Sequence, residues 1–155
     1  MTPAVIVAKQ AGIDYRTHSY QHDPEHESYG LEAVEKLGLP AARVFKTLVV
    51  SVDTGGLAVA VIPVPSKLDL KALAKVLKVK KLTMAEPRNV ERSSGYVLGG
   101  VSPLGQKRAL PTVIDRSASQ FSTIYVSAGK RGLEIELSPD DLATLLDATI
   151  AEIKK

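Results

Sequence analysis

Two adjacent apolar runs near the middle of the chain constrain its fold most strongly. Val44–Val52 reads VFKTLVVSV and Leu57–Val64 reads LAVAVIPV, and both runs are rich in β-branched residues. The four residues between them read DTGG, which suits a short turn. Extended runs joined by a glycine-containing turn are typical of a β-hairpin. The sequence therefore predicts a hairpin whose two strands cover about 20 residues.

Helix signals lie on both sides of this hairpin. Thr2 suits an N-cap, Pro3 suits the first helical position, and Gly12 suits a left-handed end. The clearest helix signal closes the chain, where Ser138 caps and Pro139 starts a helix with a predicted buried stripe at Leu142, Leu145, Leu146, Ile150 and Ile153. Three more helices are predicted: one with Leu31, Val34 and Leu37 before Gly38, one capped by Asp69 with Leu70, Leu73, Ala74 and Leu77, and one from Pro87 to near Gly95.

Short strand-like segments complete the pattern. They lie at Asp14 to Tyr20, Lys80 to Met84, Thr112 to Asp115, Thr123 to Ser127 and Leu133 to Leu137. No internal repeat, low-complexity tract or linker interrupts residues 1–155. The sequence thus predicts one α+β domain, with a mostly antiparallel sheet and helices packed outside it.

Composition excludes several classes of protein. The chain of 155 residues has no cysteine, which excludes disulfides, thiolate metal sites and cysteine nucleophiles. No apolar run approaches the roughly 20 residues that cross a bilayer, and the N-terminus lacks the basic region of a signal peptide. We therefore expect a cytoplasmic protein without a membrane partner. The net charge of +3 is smaller than that of proteins that grip a long duplex, although it tolerates a polyanion.

Lys46 is the first candidate for chemistry. It lies inside a strand-like apolar run, on the same face as Val44, Leu48 and Val50. An ammonium group loses several kcal/mol of hydration on burial unless a partner compensates. Lys46 therefore either extends from the strand end to water or holds a phosphate or carbonyl oxygen at a cleft. The spacing alone leaves both interpretations open.

Two glycine-containing loops are further candidates. Gly99 to Gly105 reads GGVSPLG, and such a loop either makes simple turns or offers main-chain amides to an oxyanion. It matches neither a Walker loop nor a dinucleotide fingerprint. Ser127 to Gly132 reads SAGKRG, which suits a hairpin turn, and its predicted exposed pair Lys130 and Arg131 also suits RNA phosphates.

Histidine spacing is the weakest of the signals. His18, His22 and His26 recur every four residues, but Pro24 breaks the helix that this spacing would need. No nucleophile elbow is present. We therefore expect no metal ligands and no serine triad.

Four motifs in order resemble the YbaK family. They are Tyr20, VFKTLVV around Lys46, GYVLGGVSPLGQKR from Gly95 to Arg108, and TIYVSAGKRGLEIEL from Thr123 to Leu137. The resemblance covers nearly the whole chain. It implies a barrel-like sheet shared with the editing domain of bacterial prolyl-tRNA synthetases, and no cofactor. It also implies a deacylase that acts in trans on cysteine attached to the tRNA for proline, with the synthetase as partner.

The resemblance also implies roles for single residues. The lysine that matches Lys46 is essential in the family, and the loop from Gly99 to Pro103 lies against the aminoacyl group. The expected substrate-binding residues are Tyr20, Tyr29, Thr47, Gly99, Gly100, Val101, Ser102, Pro103, Ser127 and Gly129. Two positions differ from the pattern that the resemblance implies: Tyr29 replaces Phe, which adds a hydroxyl to the ring, and Glu134 replaces Asp, which places the carboxylate on a longer side chain.

The chemistry expected from the resemblance is an attack by the substrate's own thiol on its ester carbonyl. Two alternatives remain open from the sequence. One is a deacylase that removes another amino acid, such as alanine, with water as the attacking group. The other is a module that binds tRNA or a synthetase without catalysis, although aromatic residues for base stacking make up only 5% of the chain.

Overall fold

The computed structural model describes residues 1–155 and contains five α-helices, eight strands and two short 3₁₀ helices. The helices are α1 (Pro3–Ala11), α2 (Tyr29–Leu37), α3 (Leu70–Leu77), α4 (Pro87–Ser94) and α5 (Pro139–Leu146), and the 3₁₀ helices are Ala41–Arg43 and Arg116–Gln120. The strands are β1 (Tyr15–Ser19), β2 (Phe45–Val52), β3 (Leu57–Pro63), β4 (Leu82–Met84), β5 (Thr112–Asp115), β6 (Ile124–Lys130), β7 (Leu133–Leu137) and β8 (Thr149–Ala151). None of the helices has the length and apolarity needed to span a membrane.

The strands form two sheets. One has the order β4-β2-β3-β5-β8 and the other has the order β1-β7-β6. Four strand pairs are antiparallel, whereas β5 runs parallel to both β3 and β8. The predicted α+β class with a mixed, mostly antiparallel sheet is confirmed. The expected barrel is only approximate, because the sheets meet at a single parallel bridge between Val44 and Tyr125 and do not close.

Alternation along β3 places the five-stranded sheet between two apolar cores. Val59 and Val61 face a core of 18 buried residues that also includes Ile114 and Leu142. Ala58, Ala60 and Ile62 face the opposite side and pack in a core of nine residues with α3. A strand buried on both faces reads as a continuous apolar run, which explains why LAVAVIP shows no polar alternation.

Helix ends agree with the capping signals in the sequence. The side chains of Thr2, Asp69 and Ser138 each accept a hydrogen bond from a backbone N–H of the first turn. Gly12 and Gly38 end their helices in the left-handed conformation, as predicted.

The C-terminal prediction is wrong in its extent. Helix α5 ends at Leu146, where Asp147 adopts φ 50°, and Thr149–Ala151 is a strand parallel to β5. Ile150 packs on the larger core and Ala151 on the smaller one, which is the alternation of a strand. The Asp115 carboxylate fixes this segment by accepting hydrogen bonds from the backbone N–H groups of Ile153 (2.9 Å) and Lys154 (3.2 Å).

Candidate active site

A cavity of about 530 Å³ opens where the two sheets meet. Residues of β2, the start of α2, the β4–α4 connection, the segment before β5 and strands β6 and β7 line it. Eleven of its 20 lining residues are apolar, and a few polar groups converge among them. This volume and composition are typical of a site for a small organic ligand or the end of a larger one.

Seven of the eleven predicted site residues line this cavity. They are Tyr20, Tyr29, Lys46, Thr47, Gly99, Val101 and Ser127. The other four, Gly100, Ser102, Pro103 and Gly129, lie behind it in the same loop or strand. The structure therefore brings together residues that are up to 107 positions apart in the sequence, counted from Tyr20 to Ser127.

Lys46 lies on β2 opposite Ile62 of β3, and its side chain lines the cavity. It forms no salt bridge, and partial burial lowers the pKa of its ammonium group below the ordinary value. A lysine without a carboxylate partner beside a cavity is free to bind an oxygen atom of a ligand.

The glycine segment forms another side of the cavity. Gly99 and Val101 line it, and no group in the chain accepts a hydrogen bond from either of their N–H groups. The intervening Gly100 N–H instead donates to the Val97 carbonyl at 2.9 Å. Two free amides beside a cavity are suitable donors for an oxyanion.

The buried residues of the loop from Gly99 to Gly105 support the residues of the same loop that line the cavity. Ser102 is fully buried, and its hydroxyl accepts a hydrogen bond from the Leu104 N–H at 3.2 Å. Ser102 also accepts a hydrogen bond at its carbonyl from the Gln106 side chain at 3.0 Å. Ser102 and the buried Pro103 therefore support the loop from its protein side.

Close packing explains why residue 129 is a glycine, although it does not line the cavity. It has φ 105° in the irregular part of β6, and a Cβ there would lie 2.8 Å from the Tyr96 ring. Its N–H donates to the Ser127 hydroxyl at 3.2 Å, which orients that hydroxyl at the cavity.

Two polar groups at the cavity lack partners. The Thr47 Oγ1 atom is buried without a hydrogen bond, and the Glu134 carboxyl, which is 7% exposed, forms none either. Burial raises the pKa of Glu134 to about 8, so this group carries a proton at neutral pH. Burial and the nearby Glu134 also raise the pKa of Tyr20. Buried polar groups without partners are uncommon in native proteins, and both of these side chains, Thr47 and Glu134, line one cavity.

Arg131 does not extend into solvent with Lys130, so the predicted exposed pair is wrong for this residue. Its guanidinium carbon lies 4.0 Å from the centre of the Tyr29 ring, and its Nη2 donates to the Tyr29 hydroxyl. The hydroxyl by which Tyr29 differs from the Phe expected at this position therefore accepts a hydrogen bond from Arg131.

The three histidines lie in separate contacts. His18, His22 and His26 each approach a glutamate: Glu136 at 2.9 Å, Glu32 at 2.7 Å and Glu35 at 3.2 Å. No three His, Asp or Glu side chains are grouped in a way that could hold a metal ion.

Several cavity residues were not predicted. Met84, Ala85, Pro87, Val90 and Leu98 supply apolar surface, and no motif distinguishes them from ordinary core residues. In α2 the predicted apolar position Leu31 is 43% exposed, whereas the adjacent Glu32 is fully buried. A buried carboxylate within a nine-residue helix has no recognisable sequence signal, because its partners come from another segment.

Comparisons with known proteins give the family of the chain. The family model of the aminoacyl-tRNA editing domain matches residues 24–145. The chain is 40% identical over 152 residues, 98% of its length and 92% of the relative's, to an Enterococcus faecalis protein described as "Putative Cys-tRNA(Pro)/Cys-tRNA(Cys) deacylase EbsC".

Solved structures share the fold. The crystal structure of hypothetical protein APE2540 superposes with a TM-score of 0.88 at 25% identity, covering 99% of both chains. The crystal structure of "a putative trans-editing enzyme for prolyl tRNA synthetase" superposes with a TM-score of 0.81 at 21% identity, covering 98% of this chain and 92% of that one.

Proposed function

Because the chain belongs to the aminoacyl-tRNA editing domain family, we propose that its cavity removes cysteine wrongly attached to the tRNA for proline. In this proposal residues 1–155 constitute a single editing domain that acts on a tRNA charged elsewhere. The name of the Enterococcus faecalis relative, a Cys-tRNA deacylase, supports the choice of cysteine.

One observation carries the proposal. Lys46, which forms no salt bridge, lines the same cavity as Gly99 and Val101, whose N–H groups have no acceptor in the chain. A cation and two amide donors are what an ester carbonyl needs when it becomes a tetrahedral oxyanion. A cavity of about 530 Å³ also falls within the range that holds a ligand of the size of an aminoacylated nucleoside.

The substrate supplies the nucleophile in this mechanism. The thiol sulfur of the cysteinyl group attacks its own carbonyl carbon, and the bond from that carbon to the ribose oxygen breaks. The thiol proton passes to the ribose oxygen, the tRNA leaves with a free hydroxyl, and water later opens the cyclic thioester to cysteine. An attack within one bound molecule gains about 7–11 kcal/mol in well-oriented cases. The protein therefore needs no cysteine of its own.

Six residues at the cavity have roles in this scheme. Lys46 binds the terminal nucleotide and stabilises developing negative charge, which also favours the thiolate form of the substrate. The amides of Gly99 and Val101 donate to the carbonyl oxygen. Tyr20, Thr47 and Ser127 orient the aminoacyl group, and the unpaired Thr47 hydroxyl supports this assignment.

Selection of the tRNA is assigned to a partner. The chain has few exposed aromatic side chains for base stacking and no base-reading motif. We therefore propose that prolyl-tRNA synthetase delivers the charged tRNA and supplies the sequence-specific contacts.

A panel of esters on one RNA tests the proposed function. Cysteine, serine and alanine are each attached to the same tRNA for proline, and ester loss is followed with wild type and Lys46→Ala. Rapid loss of the cysteinyl ester alone is expected, because only that substrate carries a thiol. Equal loss of the alanyl and seryl esters would identify water as the attacking group, and retention of every ester would leave only a binding module. A cysteinyl ester on the tRNA for cysteine tests whether the tRNA body matters.

A further inference from the structure

Arg131 and Gly132 in the β6–β7 turn form hydrogen bonds with three separate segments of the cavity wall. Arg131 Nη2 donates to the Tyr29 hydroxyl and to the Leu98 carbonyl, the latter at 3.2 Å. Gly132 accepts a hydrogen bond from the Tyr20 N–H at 2.9 Å. Tyr20, Tyr29 and Leu98 all line the cavity, whereas Arg131 does not.

The packing around Arg131 is close. A Cβ on Gly99 would lie 2.4 Å from Arg131 Nε and 2.9 Å from the Tyr29 ring. A Cβ on Gly100 would lie 2.7 Å from the Lys130 Cα atom. Side chains at positions 99 and 100 would therefore clash, so the two glycines pack directly against the guanidinium group, the Tyr29 ring and the backbone of the turn.

Arg131 is itself oriented by a buried acid through a histidine. Arg131 Nη1 lies 3.2 Å from His22 Nε2, and His22 Nδ1 lies 2.7 Å from the Glu32 carboxylate. A guanidinium group only donates, so Nε2 accepts and Nδ1 carries the proton that His22 donates to Glu32. His22 thus joins a buried carboxylate to the guanidinium group.

Glu32 is held as a carboxylate although it is fully buried. Burial alone raises its pKa, but hydrogen bonds from His22 and from the Asp23 N–H at 2.7 Å, with Lys36 at 3.6 Å, bring the pKa below the ordinary value. Glu32, His22 and Arg131 are called the support cluster below. Hydrogen bonds join the three side chains and hold the charged groups of the cluster in place.

We propose that Arg131 is a positioning residue for deacylation, which holds the Tyr29 ring and the Leu98–Gly100 segment at the cavity and is oriented by His22 and Glu32. The inference rests on the proposed function, because it assigns these three residues to the same reaction. None of them needs to contact the substrate. The competing role for a cation in this turn is an RNA phosphate contact, and the exposed Lys130 is the residue placed for that role.

Kinetics separate the two roles. Arg131→Lys keeps the charge but loses the planar fork and the ring contact, and His22→Asn keeps the hydrogen bond to Glu32 but cannot reach Arg131. Both variants should lower kcat about tenfold or more, because small displacements at a reacting centre cost up to about 10²-fold. Lys130→Ala, the matched variant in the same turn, should change KM at most and leave kcat at the wild-type value.

A spectroscopic readout tests positioning without any substrate. The protein is labelled with 3-fluorotyrosine, and the fluorine resonance that disappears in Tyr29→Phe is assigned to Tyr29 among the five tyrosines. This resonance should shift and broaden in Arg131→Lys and His22→Asn but not in Lys130→Ala, with thermal melts confirming that each variant is folded.

The outcomes distinguish this inference from the proposed function. Wild-type kcat in Arg131→Lys, or an unmoved Tyr29 resonance in both variants, overturns the positioning role even if cysteinyl-tRNA is deacylated. A wild-type protein that leaves cysteinyl-tRNA intact overturns the proposed function, and the resonance then still reports whether the support cluster positions Tyr29.

Discussion

Two buried glutamates, Glu134 at the cavity and Glu32 outside its lining, show how differently one side chain can be used. Glu32 is fully buried and accepts hydrogen bonds from His22 and the Asp23 N–H, so its pKa lies below the ordinary value. Glu134 is 7% exposed, has no hydrogen-bond partner, and has its pKa raised to about 8 by burial. The first is a satisfied structural acid, and the second is an unsatisfied acid at the cavity.

The same contrast extends to the neighbours of each acid. In the support cluster every charged group contacts another polar group. On the reactive side, defined here as Lys46, Thr47 and Glu134, the polar groups have no protein partner. Unpaired buried groups cost stability, and a native protein retains them where a ligand supplies the missing partner. The comparison therefore predicts that changes on the reactive side alter activity, whereas changes in the support cluster alter stability as well.

The largest expected effect is on activity, at Lys46. Lys46→Ala should lower kcat about 10²–10³-fold, because it removes the cation that stabilises the oxyanion. Its midpoint of thermal unfolding should stay at or above the wild-type value, since no salt bridge is lost. Deacylation of cysteinyl-tRNA and a thermal melt on the same sample measure both quantities. A large loss of stability would show that Lys46 is a structural residue.

A loss of about 3 kcal/mol in the free energy of unfolding is expected for Glu32→Ala. The substitution removes a buried carboxylate and leaves His22 and the Asp23 N–H without their acceptor. Urea denaturation measures the loss. Glu35→Ala is the matched control on the same helix, because Glu35 is exposed and contacts only His26, so it should cost less than about 1 kcal/mol. Equal losses in the two variants would contradict the structural role of Glu32.

The pH dependence of stability should change in Glu134→Gln. Burial raises the pKa of Glu134 in the folded protein to about 8, above its ordinary value of 4.5, so the unfolded chain releases this proton first as the pH rises. Between these values wild-type stability should fall by on the order of a few kcal/mol from this group, and it should fall no further above pH 8. Glutamine has no titrating proton, so the stability of the variant should depend less on pH over the same range. Urea midpoints at pH 5, 6.5 and 8 measure the difference, and parallel profiles would show that Glu134 is already ionised.

The smallest effect is expected for Tyr29→Phe. The hydroxyl accepts one hydrogen bond from Arg131, while the contact between the ring and the guanidinium group remains. The loss of stability should be about 1 kcal/mol, and kcat should change by no more than a few-fold. A complete loss of deacylation would show that the hydroxyl contacts the substrate, and it would contradict a purely structural role for Tyr29 in the cavity wall.

Local signals in the sequence were sufficient for most of the fold. The hairpin of β2 and β3, the caps at Thr2, Asp69 and Ser138, and the α+β class follow from spacing and turn chemistry. These features depend on residues that are close in the chain. The C-terminus differs because Ile150 and Ile153 also fit helical spacing, and only the open edge of β5 determines that Thr149–Ala151 pairs as a strand.

Site residues that belong to a short sequence motif could be predicted. Site residues whose position depends on partners far away in the chain could not. Lys46 and Gly99 could be identified from an unusual charge in a strand and a glycine-rich loop. The inward position of Arg131 could not be identified, because it depends on His22, which is 109 residues away in the chain. The burial of Glu32 follows from the same tertiary contact, since helical spacing alone predicts that Leu31 is buried and Glu32 is exposed.

Binding of a stable substrate mimic tests the central claim most directly. In 3′-cysteinylamino-3′-deoxyadenosine an amide replaces the ester, so the mimic should occupy the site without rapid cleavage. Backbone amide resonances of ¹⁵N-labelled protein are followed during titration. The account predicts the largest shifts at Lys46, Thr47, Gly99 and Val101, and their loss in Lys46→Ala. Shifts confined to residues outside the cavity, or unchanged binding by Lys46→Ala, would contradict it.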